Sequence, residues 1–286
     1  MLRSFRLLLA VLAVALALPG CTRVANTAKT DVVASFYPLA FLVQRIGGSD
    51  VALTDLTPPG VEPHDVELTV RQVVQVHDSD LLVYLRGLAP AVDDAAAEAG
   101  RRVEVGHVAH LVNRQGTRDP HAWLDPVRMR ELAVAVRDGL LHADPAHGTD
   151  YRARADGLLR DLDRLDAEFQ SGLGACARRD VVTSHEAFGY LSERYGLRQV
   201  AVSGLVPDAE PLPRHLASVV RFARAHDVAT IYFESVVSPK VARTVARSVG
   251  ARVAVLDPLE SQPTGTDYLG GMRRNLEALR AGLDCA

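Results

Sequence analysis

Short apolar runs alternate with segments of three-to-four periodicity along most of the chain. "DVVASFYPLAFLVQRIGG", residues 31–48, reads as a strand followed by a helix closed by glycines. "VALTDLT" is strand-like and feeds the Pro-rich loop "PPGVEPHDVE". "LTVRQVVQVHDSD" has helical spacing, "LLVYL" is a buried strand, "AVDDAAAEAG" is a helix ending at glycine, and "RRVEVGHV" is a further strand. Strands alternating with helices predict parallel sheets covered by helices on both faces.

Between Pro145 and Leu173 the pattern changes. Tyr151, Ala155, Leu158, Leu159, Leu162, Leu165, Phe169 and Leu173 recur at steps of three and four, with Arg and Asp filling the gaps. One helix of roughly 25 residues is predicted, about 37 Å long, the scale of a whole small domain. Beyond it the alternation resumes through "DVVTS", "RQVAVSG", "VATIYFES" and "RVAVLD" to a last helix, "DYLGGMRRNLEALRAGL". The expected fold class is therefore α/β. An N-terminal lobe (31–144) and a C-terminal lobe (174–286), each a parallel sheet flanked by helices, are joined by one connector helix (145–173), with a cleft between them. A long surface helix on one large domain is the alternative.

The first twenty residues do not fit this pattern. Arg3 and Arg6 precede an apolar run from Leu7 to Leu18, too short to span a bilayer and ending in small residues, which is the form of a secretory signal peptide. "LPGC" resembles the lipobox of bacterial lipoproteins, so Cys21 is expected to be lipidated and residues 21–30 to form a membrane tether. A plain signal peptide, with Cys21 incidental, is the alternative. Export leaves Cys176 and Cys285 as an even pair in an oxidising compartment; a disulfide is expected, and two buried free thiols are the competing account. The formal charge is −3, or −5 without the two signal arginines, and no Lys/Arg cluster is present, which argues against nucleic acid as a partner.

Four positions carry candidate chemistry. His64 lies in the Pro-rich loop, His121 in "DPHAWLDP" ahead of a helix starting at Pro126, His185 directly after the strand "DVVTS", and Asp257 directly after "RVAVL". Ligands of parallel α/β sheets gather beyond the carboxyl ends of the strands. Three imidazoles and one carboxylate form a tetrahedral donor set for Zn²⁺. The spacings between them are long, so the fold must assemble such a site. Asp125 and Asp257 each also fit an N-cap ahead of a proline.

"PHDVELT", "DPHAWLDP", "VVTSHEAFGYLSERYGL" and "VLDPL", in this order around a long central helix, resemble the zinc- and manganese-binding solute-binding lipoproteins of bacterial ABC transporters, over essentially the whole mature chain. The resemblance implies metal ligands at His64, His121, His185 and Asp257, with Asp125 only a helix cap. It also implies capture of Zn²⁺ in the cleft for delivery to an ABC permease, by an exported, membrane-anchored monomer that is not an enzyme, with a metallochaperone as a further partner. Manganese members generally use two histidines and two carboxylates, so His185 favours Zn²⁺ over Mn²⁺. The His-rich loop of many zinc members is absent, and His107 and His110 are extra histidines shortly before His121. Glu234, at the end of "ATIYF", is expected as a partner of a ligand's free N–H or a cleft-lining charge, with a surface position as the alternative, and Trp123 as packing behind the His121 loop. His77, His142, His147, His215 and His226 receive no role. The competing classes are a manganese carrier, a zinc hydrolase and a zinc-dependent adhesin. "HEAFG" at His185 stops at Gly189 where the hydrolase motif HExxH needs a second histidine.

Overall fold

The computed structural model describes residues 29–114, 116–206, 212–234 and 238–286. The expected signal peptide and Cys21 lie outside the described residues, as does most of the tether. The N-terminal lobe runs β1 (Thr30–Ala34), α1 (Tyr37–Gly47), β2 (Val51–Asp55), α2 (Val70–Asp78), β3 (Leu81–Tyr84), α3 (Pro90–Glu98), β4 (Arg102–Glu104), a short hairpin β5 (Asn113–Arg114) and β6 (Thr117–Arg118), and α4 (Pro126–Ala143). α5 (Gly148–Leu173) follows. The C-terminal lobe contains β7 (Asp180–Thr183), α6 (Gly189–Arg194), β8 (Arg198–Ala201), α7 (Pro213–Ala225), β9 (Thr230–Phe233), α8 (Lys240–Val249), β10 (Arg252–Val255) and α9 (Tyr268–Leu283).

The two main sheets have orders β2-β1-β3-β4 and β10-β9-β7-β8. All their pairings are parallel. Counted from the first strand of each lobe, both are the same 2-1-3-4 arrangement, so the lobes share a topology without sharing a sequence. The parallel order follows from the helical crossovers, which return the chain to the same edge for the next strand.

α5 has 26 residues, about 39 Å of helix. Its stripe of Tyr151, Ala155, Leu158, Leu162, Leu165, Phe169 and Leu173 is buried, as the periodicity predicts, while Leu159 is only partly covered. The stripe packs against α1 and α4 of one lobe and α9 of the other, so one core runs through both. Helix formation is deferred to Gly148 because Pro145–His147 form a 3₁₀ turn. Cys176 and Cys285 are joined in a disulfide that ties the end of α9 to the segment after α5. Among the described residues, no helix is long and apolar enough to cross a membrane.

Candidate metal centre

Asp119, His121 and Trp123 show how local sequence builds the first part of the site. The Asp119 carboxylate accepts from the His121 backbone N–H at 3.0 Å and lies 2.9 Å from His121 Nδ1, fixing both backbone and ring. Its other oxygen accepts from Arg114 Nε at 2.8 Å. With Nδ1 held by the carboxylate, Nε2 faces the cleft as a free donor atom. Asp125 then caps α4 by accepting from Val127 N–H at 2.9 Å, with Pro126 at the first helical position, the cap role expected of it.

His64 sits in a 3₁₀ turn, Pro63–Asp65, whose preceding Glu62 side chain accepts from the His64 backbone N–H at 3.4 Å. His185 follows β7, and its Nδ1 lies 2.6 Å from Oε1 of the buried Glu234. Ser184 Oγ donates to that same oxygen. The His185 carbonyl accepts from Thr183 Oγ1 at 2.7 Å and from Gln199 at 3.0 Å, so backbone and ring are both restrained. Gly189 explains why "HEAFG" cannot become a second histidine ligand. A Cβ there would sit 2.7 Å from Arg114 Nε and 3.1 Å from Asp119 Oδ2, displacing the pair that orients His121.

The three imidazoles converge. His121 Nε2 is 3.3 Å from both His64 Nε2 and His185 Nε2. The fourth group is Glu260, whose Oε1 lies 3.5, 3.6 and 3.9 Å from the Nε2 atoms of His121, His64 and His185. All four side chains are buried, and one donor atom from each falls within 4.8 Å of the others. A tetrahedron with bonds of about 2.0–2.1 Å has edges of about 3.3–3.4 Å. The two His–His spacings of 3.3 Å match those edges, and the Glu260 spacings of 3.5–3.9 Å run longer. Among the described residues, neither Glu260 oxygen has a hydrogen-bond partner although both are buried, an arrangement that is costly unless a cation completes it.

Asp257, expected as the fourth member, is not part of this quartet. Its backbone N–H donates to Asn275 Oδ1 at 2.9 Å, its carbonyl accepts from Asn275 Nδ2 at 2.6 Å, and its Oδ1 accepts from Leu259 N–H at 2.8 Å. The carboxylate closes the turn that carries Glu260 into the cleft. No local pattern in the sequence marks Glu260 or Glu62 as part of the site. For Asp119 the signal was present, an acid two residues before a histidine.

The electrostatics are those of a pocket holding too few counter-charges. Burial pulls His64 below the ordinary imidazole range, against the pull of Glu260. Burial also acts against charge on His121, but Asp119 and Glu260 outweigh it and its pKa is pushed up to about 9. Burial would raise Glu260, yet the facing imidazoles of His121 and His64 hold it below the usual carboxylate range. Burial, reinforced by the neighbouring Glu260, pushes Glu62 well up. Without metal, the site therefore retains protons at neutral pH. Three neutral histidines and one carboxylate suit Zn²⁺, which takes nitrogen and oxygen donors in tetrahedral sets.

A cavity of about 680 Å³ opens beside Glu260's turn, lined on one side by Pro59 and Gly60 and on the other by Val255, Leu259 and Arg274. Gly60 N–H reaches Ser261 Oγ at 3.3 Å across it, so the two lobes touch at the mouth of the site.

Comparison with known proteins places this geometry in context. The profile described as "Zinc-uptake complex component A periplasmic", ZnuA, matches residues 32–282. The high-affinity zinc uptake system protein ZnuA of Bacillus subtilis is 31% identical, over 89% of this chain and 88% of its own. The zinc-binding protein AdcA of Streptococcus pyogenes is also 31% identical over 90% of this chain, which spans only 57% of AdcA's length. Among solved structures, the laminin-binding protein Lmb of Streptococcus agalactiae, titled a bifunctional protein with adhesin and metal-transporting activity, superposes with a TM-score of 0.85 at 33% identity, covering 90% of this chain and all of its own. The Zn(II)-bound ZnuA-like domain of Streptococcus pneumoniae AdcA does so at 0.80 and 32%, with the same coverage. With a buried quartet of three histidines and a glutamate between two like-folded lobes, this chain belongs to the ZnuA family, the periplasmic component A of zinc-uptake complexes.

Proposed function

We propose that the protein captures extracytoplasmic Zn²⁺ between its two lobes and delivers it to an ABC permease, with His64, His121, His185 and Glu260 as ligands. The observation that carries this reading is the buried Glu260 carboxylate, without a hydrogen-bond partner among the described residues and facing three imidazole nitrogens at 3.5–3.9 Å. His64 and His121 come from the lobe bounded by 31–144, and His185 and Glu260 from 174–286, so binding draws on both sides of the cleft. Zinc is cargo: the ligands must hold it with all four donors and yield it when the lobes part. Lipidation at Cys21 would keep the carrier at the membrane beside its permease.

Two features support a carrier over a hydrolase. Four protein donors fill a tetrahedral sphere, leaving no open position for a reactive water. The acid nearest His185 Nδ1, Glu234, is oriented as a ring acceptor. The donor set also favours zinc over manganese. The test is competitive zinc titration of the mature protein alongside Glu260→Ala and His185→Ala. One zinc per chain, weakened in both variants while the fold persists, is expected. Absence of stoichiometric zinc, or unaltered binding in both, would rule the reading out.

A further inference from the structure

Trp123, the chain's only tryptophan, is fully buried next to the quartet and is used by neither the ligand set nor its hydrogen-bonded partners. Its ring centroid lies 5.2 Å from that of His121 and 4.8 Å from that of Phe36. Its indole N–H does not stay within its own lobe. It donates to the carbonyl of Pro258 at 2.7 Å, two residues before Glu260. Tyr268, at the start of α9, donates its hydroxyl to the Trp123 carbonyl at 2.5 Å. The residue is thus bonded to the opposite lobe through both side chain and backbone.

The segment it grips is unusual. Leu259 has φ +57°, the left-handed region that a branched residue occupies only when its surroundings over-determine it. Three devices do so: the Asp257 carboxylate on Leu259 N–H, Asn275 on the Asp257 backbone, and a notch at Gly271, where a Cβ would come within 2.6 Å of Leu259 Cδ2. The Trp123–Pro258 bond is a fourth, and it reaches the turn from the His121 side of the cleft.

We propose that Trp123 is a positioning residue that couples the two halves of the metal site, its indole N–H holding the Pro258–Leu259 turn so that the Glu260 carboxylate faces the three imidazoles. This rests on the zinc-carrier reading and extends it by naming what fixes the one carboxylate ligand. Loss of the N–H leaves the Pro258 carbonyl buried without that donor and frees the turn to relax from its left-handed conformation. The Glu260 carboxylate then retreats, while the three histidines keep their own orienting partners.

The test is a double-mutant cycle read by zinc titration against a chelator of known affinity, with zinc ions alone as probe. Trp123→Phe retains an aromatic ring but removes the donor; it should weaken zinc binding about tenfold or more, in the range seen for partners of metal ligands. In a Glu260→Gln background the same change should alter binding by no more than about threefold, because the group it positions is already lost. Equal losses in both backgrounds, or no loss in either, would overturn the coupling. A second measurement needs no change at Trp123. Its fluorescence should respond to zinc in the native chain, and that response should collapse in Glu260→Gln at zinc concentrations that still saturate the variant; an undiminished response counts against the proposal. If the native chain binds no zinc at all, the carrier reading itself fails and takes the coupling with it.

Discussion

At the scale of single residues, Glu260 and not Asp257 is the carboxylate that faces the imidazoles. Glu260→Ala should weaken zinc binding far more than Asp257→Ala, because Glu260 lies in the proposed donor quartet whereas Asp257 shapes the turn that carries it. Parallel zinc titrations check this, and equal losses would restore Asp257 to the ligand set. Asp119→Asn should cost about 10–100-fold in affinity by releasing the His121 ring, without changing stoichiometry. The pH dependence has a definite sign. His121 has its pKa raised to about 9, so in the zinc-free protein its contribution to stability is complete below the unfolded value of about 6.5 and is lost as pH rises through about 9. Zinc requires that ring neutral. Binding near pH 7 should therefore release about one proton, and apparent affinity should climb about tenfold per pH unit until it levels near pH 9. Calorimetry in buffers of differing ionisation enthalpy measures the proton count; zero released protons would contradict the assignment.

At the scale of elements, most of the architecture was legible because each element carries its own period. The apolar stripe of α5 and the buried runs of β3 and β7 announce themselves, and Asp125-Pro126 marks the start of α4. The histidines were legible for a related reason: each lies where a strand has ended or a helix is about to begin. Glu260 was not. Reading the strand end at Val255 points to the next acid, Asp257, and nothing in "LDPLE" reveals that Leu259 turns left-handed, a conformation that local rules reserve for glycine or asparagine. That turn is imposed by Asn275, Trp123 and the Gly271 notch, all distant in sequence, so tertiary contacts override local preference. The disulfide belongs to this scale as well. It closes a loop with a sequence separation of 109, so replacing both cysteines with serine should lower stability by about 4–5 kcal/mol in the chain-entropy account. Zinc affinity should stay nearly unchanged, since the bridge lies beyond the C-terminal end of α9 whereas Asn275 sits at its middle. Denaturant unfolding and zinc titration of the same variant separate the two effects.

At the scale of the whole molecule, a repeated 2-1-3-4 sheet and a shared helix place the four candidate donors on both sides of one cleft. α5 packs on both lobes, while Trp123–Pro258, Tyr268–Trp123 and Tyr190–Asp119 bonds cross between the two halves of the chain. Such a frame permits rocking about the cleft more readily than a wide hinge opening. Hydrogen exchange should accordingly slow on zinc loading chiefly around His64 and around Pro258–Ser261, with little change along α5. Zinc-edge anomalous diffraction from crystals of the zinc-loaded protein identifies the four donors without reference to any variant. A single anomalous peak at bonding distance from the Nε2 atoms of His64, His121 and His185 and from the Glu260 carboxylate is the predicted result. A peak bound by Asp257 in place of Glu260, or one lying outside the cleft, would contradict it.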